Sequence, residues 1–190
     1  MKQSKQEVTS DIFFEASTAA ALAMYKKLGK IPMGLSGLIK EGKDYNLIPI
    51  GDDELHHLSP DMAQIAIDLM LKPLVAYTNL KDHKTARPVV FFMSVAAEGG
   101  LKNENDEFEH SKLIITAART EDQKGKTNTY KVEKNGFTKL TIPEDDVWQK
   151  KANDEDIPAT LAQGLLDMLW KSYAVAHNMS LLNKTKEVKV

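Results

Sequence analysis

No cysteine occurs anywhere in this chain, which excludes disulfides, cysteine-ligated zinc, iron–sulfur clusters and thiol nucleophiles. That exclusion leaves the compartment open. A run of about 18 apolar residues is also missing, so no membrane span and no membrane partner are expected. The opening residues, MKQSKQEVTSD, lack the apolar core of a secretory signal, and the expected location is cytoplasmic. Nor is there an excess of charge of one sign. A formal net charge of −2 gives no overall footprint for nucleic acid or anionic lipid, although a local patch remains open. No phosphate-binding loop or dinucleotide fingerprint is present, and GLSGL at Gly34 to Leu38 has its glycines misplaced for a nucleophile elbow. No cofactor is expected, and in particular no nucleotide cofactor.

What is present is ordinary globular material, 42% hydrophobic and 27% charged over 190 residues. A chain of this size buries roughly 70% of its unfolded surface without metal or disulfide staples. One domain is expected over residues 10–182, with flexible tails at 1–9 and 183–190. Thr9 or Ser10 is placed to cap a helix that runs to Leu28 and stops at Gly29, with Ile12, Ala16, Ala19, Ala20 and Ala23 as its apolar, closely approachable side. Residues 29–51 read as irregular, broken by Pro32, Gly34, Gly37, Gly42 and Pro49. Ser59, Pro60 and Asp61 have the order of a helix start, and Pro73 ends or kinks that helix.

Strands follow. Val89 to Ala97, VVFFMSVAA, is apolar at both odd and even positions, so this strand needs cover on both faces. Its second cover is expected to come from the C-terminal helix, a symmetry mate or a partner. After an acidic excursion from Gly99 to Glu109, Lys112 to Arg119 forms a second strand. TNTYKVEKNGFTKLTIP then reads as a hairpin. A three-residue loop, Lys134 to Gly136 with a left-handed Gly136, is expected to pair Tyr130 with Leu140. The last element is a helix from about Ala159 to Leu182, broad in its apolar surface through Leu161, Leu165, Leu166, Leu169, Trp170 and Tyr173. The expected fold class is α+β: two N-terminal helices, a four-stranded mostly antiparallel sheet, and a long C-terminal helix packed on the sheet.

Three sets of residues carry chemistry. In DDELHHLSPD, His56 and His57 with Asp53, and Asp52 or Glu54 nearby, suit a divalent metal and a hydrolytic site. Adjacent histidines lack the helical i, i+4 spacing of known zinc pairs, which favours a solvated loop. In HKTARP, His83, Lys84 and Arg87 supply a base and two cations, and His110, Glu98 or Arg119 would assist. A metal-independent ribonuclease needs such a set, to activate a 2′-hydroxyl and stabilise a phosphorane. The third set is basic. Between residues 112 and 139 the cations Lys112, Arg119, Lys124, Lys126, Lys131, Lys134 and Lys139 outnumber Glu121, Asp122 and Glu133. Such a hairpin follows an RNA backbone or meets an acidic protein, unless its lysines only block edge pairing.

The resulting expectation is a small soluble interaction protein, an adaptor, inhibitor or immunity-type factor that binds and occludes a macromolecular partner. The partner expected is another protein or a second copy in a homodimer. The alternatives are the RNase-like enzyme at His83 and Arg87, with RNA met through the hairpin, and the metal-dependent hydrolase at His56 and His57.

Overall fold

The structure, a computed structural model, describes residues 5–31, 34–51, 68, 71–72, 74–76, 78, 86–102, 108–140, 149–150 and 161–187. Its elements are α1 (Lys5–Leu28), β1 (Gly34–Glu41), β2 (Asp44–Gly51), α2 (helical positions within 68–78), β3 (Ala86–Lys102), β4 (Phe108–Thr120), β5 (Lys124–Glu133), β6 (Gly136–Leu140), β7 (Gln149–Lys150) and α3 (Leu161–Glu187). The sheet order is β2-β1-β3-β4-β5-β6, with β7 beside β5. Every pairing is antiparallel. The α+β class and the C-terminal helix are as the sequence leads one to expect. The sheet is larger, and its first hairpin lies between α1 and α2 rather than after both helices.

Strand β3 is central and is covered twice. Phe91 points to one face, where its ring lies 4.4 Å from Trp170 and 6.2 Å from Tyr173 of α3. Leu71, Leu74 and Val75 of α2 and Leu166 and Leu169 of α3 complete that core. Phe92 points to the opposite face and meets Phe13 and Phe14 of α1, each at 6.1 Å. The period of two along a strand makes this division unavoidable once both faces are apolar. The second cover is thus α1, supplied by the chain itself.

The orientation of α1 differs from the alanine-face expectation. Ser10, Phe13, Phe14, Thr18 and Ala21 are buried, whereas Ile12, Ala16, Ala19, Ala20 and Ala23 are exposed. Two phenyl rings remove far more apolar area from water than four methyl groups, so they decide which side faces the sheet. The helix begins before Thr9 and ends where expected, with the Gly29 amide donating to the Tyr25 carbonyl at 2.7 Å and Gly29 at φ +70°. Helical residues also occur beyond position 73, at Leu74 to Ala76 and at Thr78. Helix α3 extends to Glu187.

The stretch read as irregular is the β1–β2 hairpin. Gly42 sits at φ +60° in the loop between Glu41 and Asp44, the left-handed first position that a two-residue turn of this kind requires. Gly37 pairs with Phe91, and a Cβ there would come within 3.1 Å of the Phe91 ring. Glycine at 37 therefore makes room for the central aromatic. Pro49 is tolerated because β2 is an edge strand.

The last hairpin takes another register. Val132 pairs with Phe137 and Tyr130 with Lys139, around a loop of Lys134 and Asn135. This alignment brings Tyr130, Val132 and Phe137 together with Tyr25 and Ile31 beneath α1, and Tyr25 meets Phe137 edge-on at 6.0 Å. The bulged register would have separated Phe137 from Val132. Positive φ among the described glycines is confined to Gly29 and Gly42, and nothing lies within 4 Å of a Cβ built on Gly136. Gly136→Ala is therefore expected to be neutral or stabilising by up to about 1 kcal/mol. Gly42→Ala is expected to cost about 1 to 2 kcal/mol. Urea midpoints of the two variants check both.

Candidate functional site

His56, His57, Asp53, His83 and Lys84 lie outside the described residues. Arg87 stands at the start of β3 and pairs with Glu121 at 3.3 Å. His110 stands at the other end of the β3–β4 ribbon, with its Nε2 3.3 Å from Glu98. The register places His110 opposite Gly100, thirteen strand residues from Arg87 and hence roughly 40 Å away at about 3.3 Å per residue. One phosphate cannot touch both. Arg119 also departs from the phosphate-facing part suggested for it, because it is buried beneath α3. Among the described residues no group of three or more His, Asp or Glu is placed to hold a metal ion.

The basic run is divided between the two faces of the sheet. Lys126 is buried under α1, where its Nζ lies 3.1 Å from Asp11, 3.3 Å from Glu15 and 5.1 Å from the centre of the Phe14 ring. Lys124 pairs with Asp122 at 3.4 Å and Lys131 with Glu109 at 3.3 Å. Lys134 and Lys139 are exposed. Strand alternation sends Lys126 and Lys131 to opposite faces of β5, and β5 is itself flanked on both sides. Charges contiguous in sequence are thereby dispersed.

A polar seam between α3 and the end of β4 is the most built feature on the α3 face. Gln163 and Asp167 are one helical turn apart and Trp170 follows, so all three meet the sheet. The Arg119 guanidinium donates to Gln163 Oε1 at 3.3 Å, to Gln123 Oε1 at 3.4 Å and to Asp167 Oδ1 at 3.2 Å. Gln163 Nε2 donates to the Ala118 and Lys126 carbonyls and to Thr127 Oγ1, at 3.3, 3.0 and 3.0 Å. Trp170 Nε1 donates to the Arg119 carbonyl at 3.1 Å. A Cβ at position 125 would lie 2.7 Å from Gln163 Oε1, so Gly125 opens the sheet surface for that amide. Burial lowers the Arg119 pKa and the neighbouring Asp167 carboxylate acts against it. The guanidinium still carries its charge at any physiological pH. Donors and acceptors here are turned on one another, and the seam's chemistry is to fix α3 on the sheet.

Farther along α3, the Tyr173 hydroxyl donates to Thr78 Oγ1 at 3.2 Å, and Thr78 donates to the Val75 carbonyl at 3.1 Å. Burial raises the Tyr173 pKa, with the Thr78 hydrogen bond opposing and the charge of Glu121 adding to it. The phenol is held neutral, as a donor that ties α2 to α3. His177 stacks on Tyr173 at 5.8 Å and 16°, and burial lowers its pKa. The unfolded chain therefore takes up this proton first as pH falls. Stability should decline below about pH 6.5, the ordinary imidazole value, and level off beneath the folded value. In His177→Gln that part of the decline disappears, which urea midpoints at pH 7.5 and 5 measure.

The outer face of α1 is the remaining feature. Ile12 is 65% exposed, and Ala16, Ala19, Ala20 and Ala23 on the same side are also exposed, whereas Met24 and Leu28, 43% and 54% exposed, lie about 120° and 160° around the helix from Ile12. Its periodicity was legible in the sequence, whereas its direction was not. Among the described residues no helix is long and apolar enough to cross a membrane. Comparison with protein-family models, curated proteins and solved structures finds no match to this chain.

Proposed function

We propose that the protein is a binding module that occludes a macromolecular partner, and that it does so with the outer face of α1. The observation that carries this reading is the pairing of a firmly seated inner face, Phe13 and Phe14 on Phe92, with an outer face that exposes Ile12 at 65% beside the exposed Ala16, Ala19, Ala20 and Ala23. A rigid helix that shows an apolar, small-residue surface to solvent is pre-organised for contact. The sequence argument from an uncovered side of β3 no longer contributes, because α1 fills that side. The scatter of Arg87 and His110, and the pairing of Lys124, Lys126 and Lys131 with carboxylates, take support from the nuclease alternative.

Affinity capture tests the reading. Immobilised wild type and the Val175→Glu control on α3 should retain the same macromolecule in near-stoichiometric amount, and Ile12→Glu/Ala20→Glu should lose it. Retention that is unchanged in Ile12→Glu/Ala20→Glu contradicts the assignment to α1.

A further inference from the structure

We propose that the occupant of the α1 outer face is a second copy of this chain, packed α1 to α1 in antiparallel orientation about a two-fold axis near Ala19 and Ala20. The inference rests on the reading of α1 as a contact surface and adds the identity of the partner. It follows from how shape and charge repeat along the helix.

Ile12, Ala16, Ala19 and Ala23 recur at steps of four, three and four residues, so they form a single line on a helix of 3.6 residues per turn, with Ala20 beside it. All five are exposed. Methyl side chains along the line allow two helix axes to approach to about 8 Å. Glu15 and Lys26 are eleven residues apart, about three turns, and therefore lie on the same flank of that line. In a two-fold antiparallel pair, equal flanks meet. Glu15 is then set against the partner's Lys26, and Lys26 against the partner's Glu15, with an axial offset of about 3 Å that either side chain spans. Glu15 also touches Lys126 of its own chain at 3.3 Å, yet its side chain is 57% exposed and has a second oxygen to offer. In a parallel pair opposite flanks meet instead, so Glu15 would face the partner's Ala20 and Lys26 the partner's Lys27, and the pairing of Glu15 with Lys26 is lost. Antiparallel helix dipoles favour the same choice.

The contact from Ile12 to Lys26 is about 21 Å long, and one helix pair buries less than a standard interface of about 1,600 Å². Association is accordingly weak and depends on concentration. Sedimentation velocity from about 5 to 500 µM should show the wild-type mass rising from one chain toward two. Ala19→Glu, which puts like charges beside the axis, should shift the midpoint at least tenfold while circular dichroism stays that of the wild type. The absence of cysteine permits a test of orientation. Ala20→Cys should oxidise to a covalent dimer, and Ile12→Cys, held about 24 Å from the partner's residue 12, should not. A monomer throughout the range, a dimer unmoved by Ala19→Glu, or equal cross-linking at the two cysteines overturns the proposal. A persistent monomer whose Ile12→Glu/Ala20→Glu variant loses some other macromolecule overturns self-association and leaves α1 as a binding face. A dimer indifferent to every α1 substitution removes both.

Discussion

Asp167→Ala is expected to lower the unfolding free energy by about 3 to 5 kcal/mol, because it strands a buried guanidinium. The Arg119 side chain is 6% exposed and that of Asp167 13%. Water cannot replace the lost carboxylate there, and Gln163 and Gln123 offer only neutral acceptors. Lys171 also reaches Asp167, at 2.8 Å, but its side chain is 68% exposed and returns to solvent at little cost. The effect therefore belongs to Arg119. Replacing both partners by apolar residues of similar volume, as in Arg119→Met with Asp167→Leu, should recover most of the loss, since a buried ion pair contributes little net stability beyond a well-packed apolar equivalent. Urea unfolding of the two single variants and the double variant gives the coupling directly. An Asp167→Ala protein as stable as wild type would show that Arg119 is not confined beneath α3. The exposed pair Arg87 and Glu121 provides the contrast, with Glu121→Gln expected to cost under about 1 kcal/mol.

Phe91→Ala is expected to have an effect of similar size, about 3 to 5 kcal/mol, by a different mechanism. The ring is fully buried and sits among Trp170, Tyr173 and the bare backbone of Gly37. Its removal leaves a cavity between a helix already pinned by the Arg119 seam and a strand pinned on both sides, so the walls have little freedom to collapse. Leu47, 61% exposed on the edge strand β2, should tolerate alanine within about 0.5 kcal/mol. A shift of the urea midpoint with an unchanged slope marks a loss of packing rather than a change in the unfolded chain.

The strongest sequence signals came from the longest buried elements. VVFFMSVAA is apolar in both parities, and only a strand covered on two sides uses such a pattern. The width of the apolar surface from Leu161 to Tyr173 likewise announced a helix buried on more than one side. Weaker signals failed for identifiable reasons. In the β1–β2 hairpin, Gly37 stands where a strand would show a bulky residue, because Phe91 fills that space from the neighbouring strand. Periodicity within one segment cannot reveal a gap filled by another. On α1, counting apolar positions favoured five residues dominated by alanine, while burial follows area and chose Phe13 and Phe14. In the last hairpin, the sequence favours a three-residue loop from Lys134 to Gly136 because it pairs Tyr130 with Leu140, whereas the cross-strand partnership of Val132 with Phe137 set the register.

The polar seam was illegible for another reason. Arg119 and Asp167 are 48 residues apart, and nothing local distinguishes either from a surface charge. One clue was available, in that Gln163 and Asp167 interrupt the sheet-facing side of an otherwise apolar helix at i, i+4 spacing. The basic run misled in the opposite sense, since contiguity in sequence is not contiguity on a sheet.

The two-sidedness of α1 is the central claim, and thiol reactivity along that helix measures it most directly. Single cysteines at Ser10, Thr18 and Ala21, all buried, are nearly isosteric with the native residues, and cysteines at Ile12, Ala16 and Ala20 sample the opposite side. In dilute protein the second set should be alkylated as fast as in the unfolded chain, and the first set should be protected by orders of magnitude until denaturant is added. Rapid labelling at 10, 18 and 21 together with protection at 12, 16 and 20 would contradict the account, for it would turn the alanine side onto the sheet.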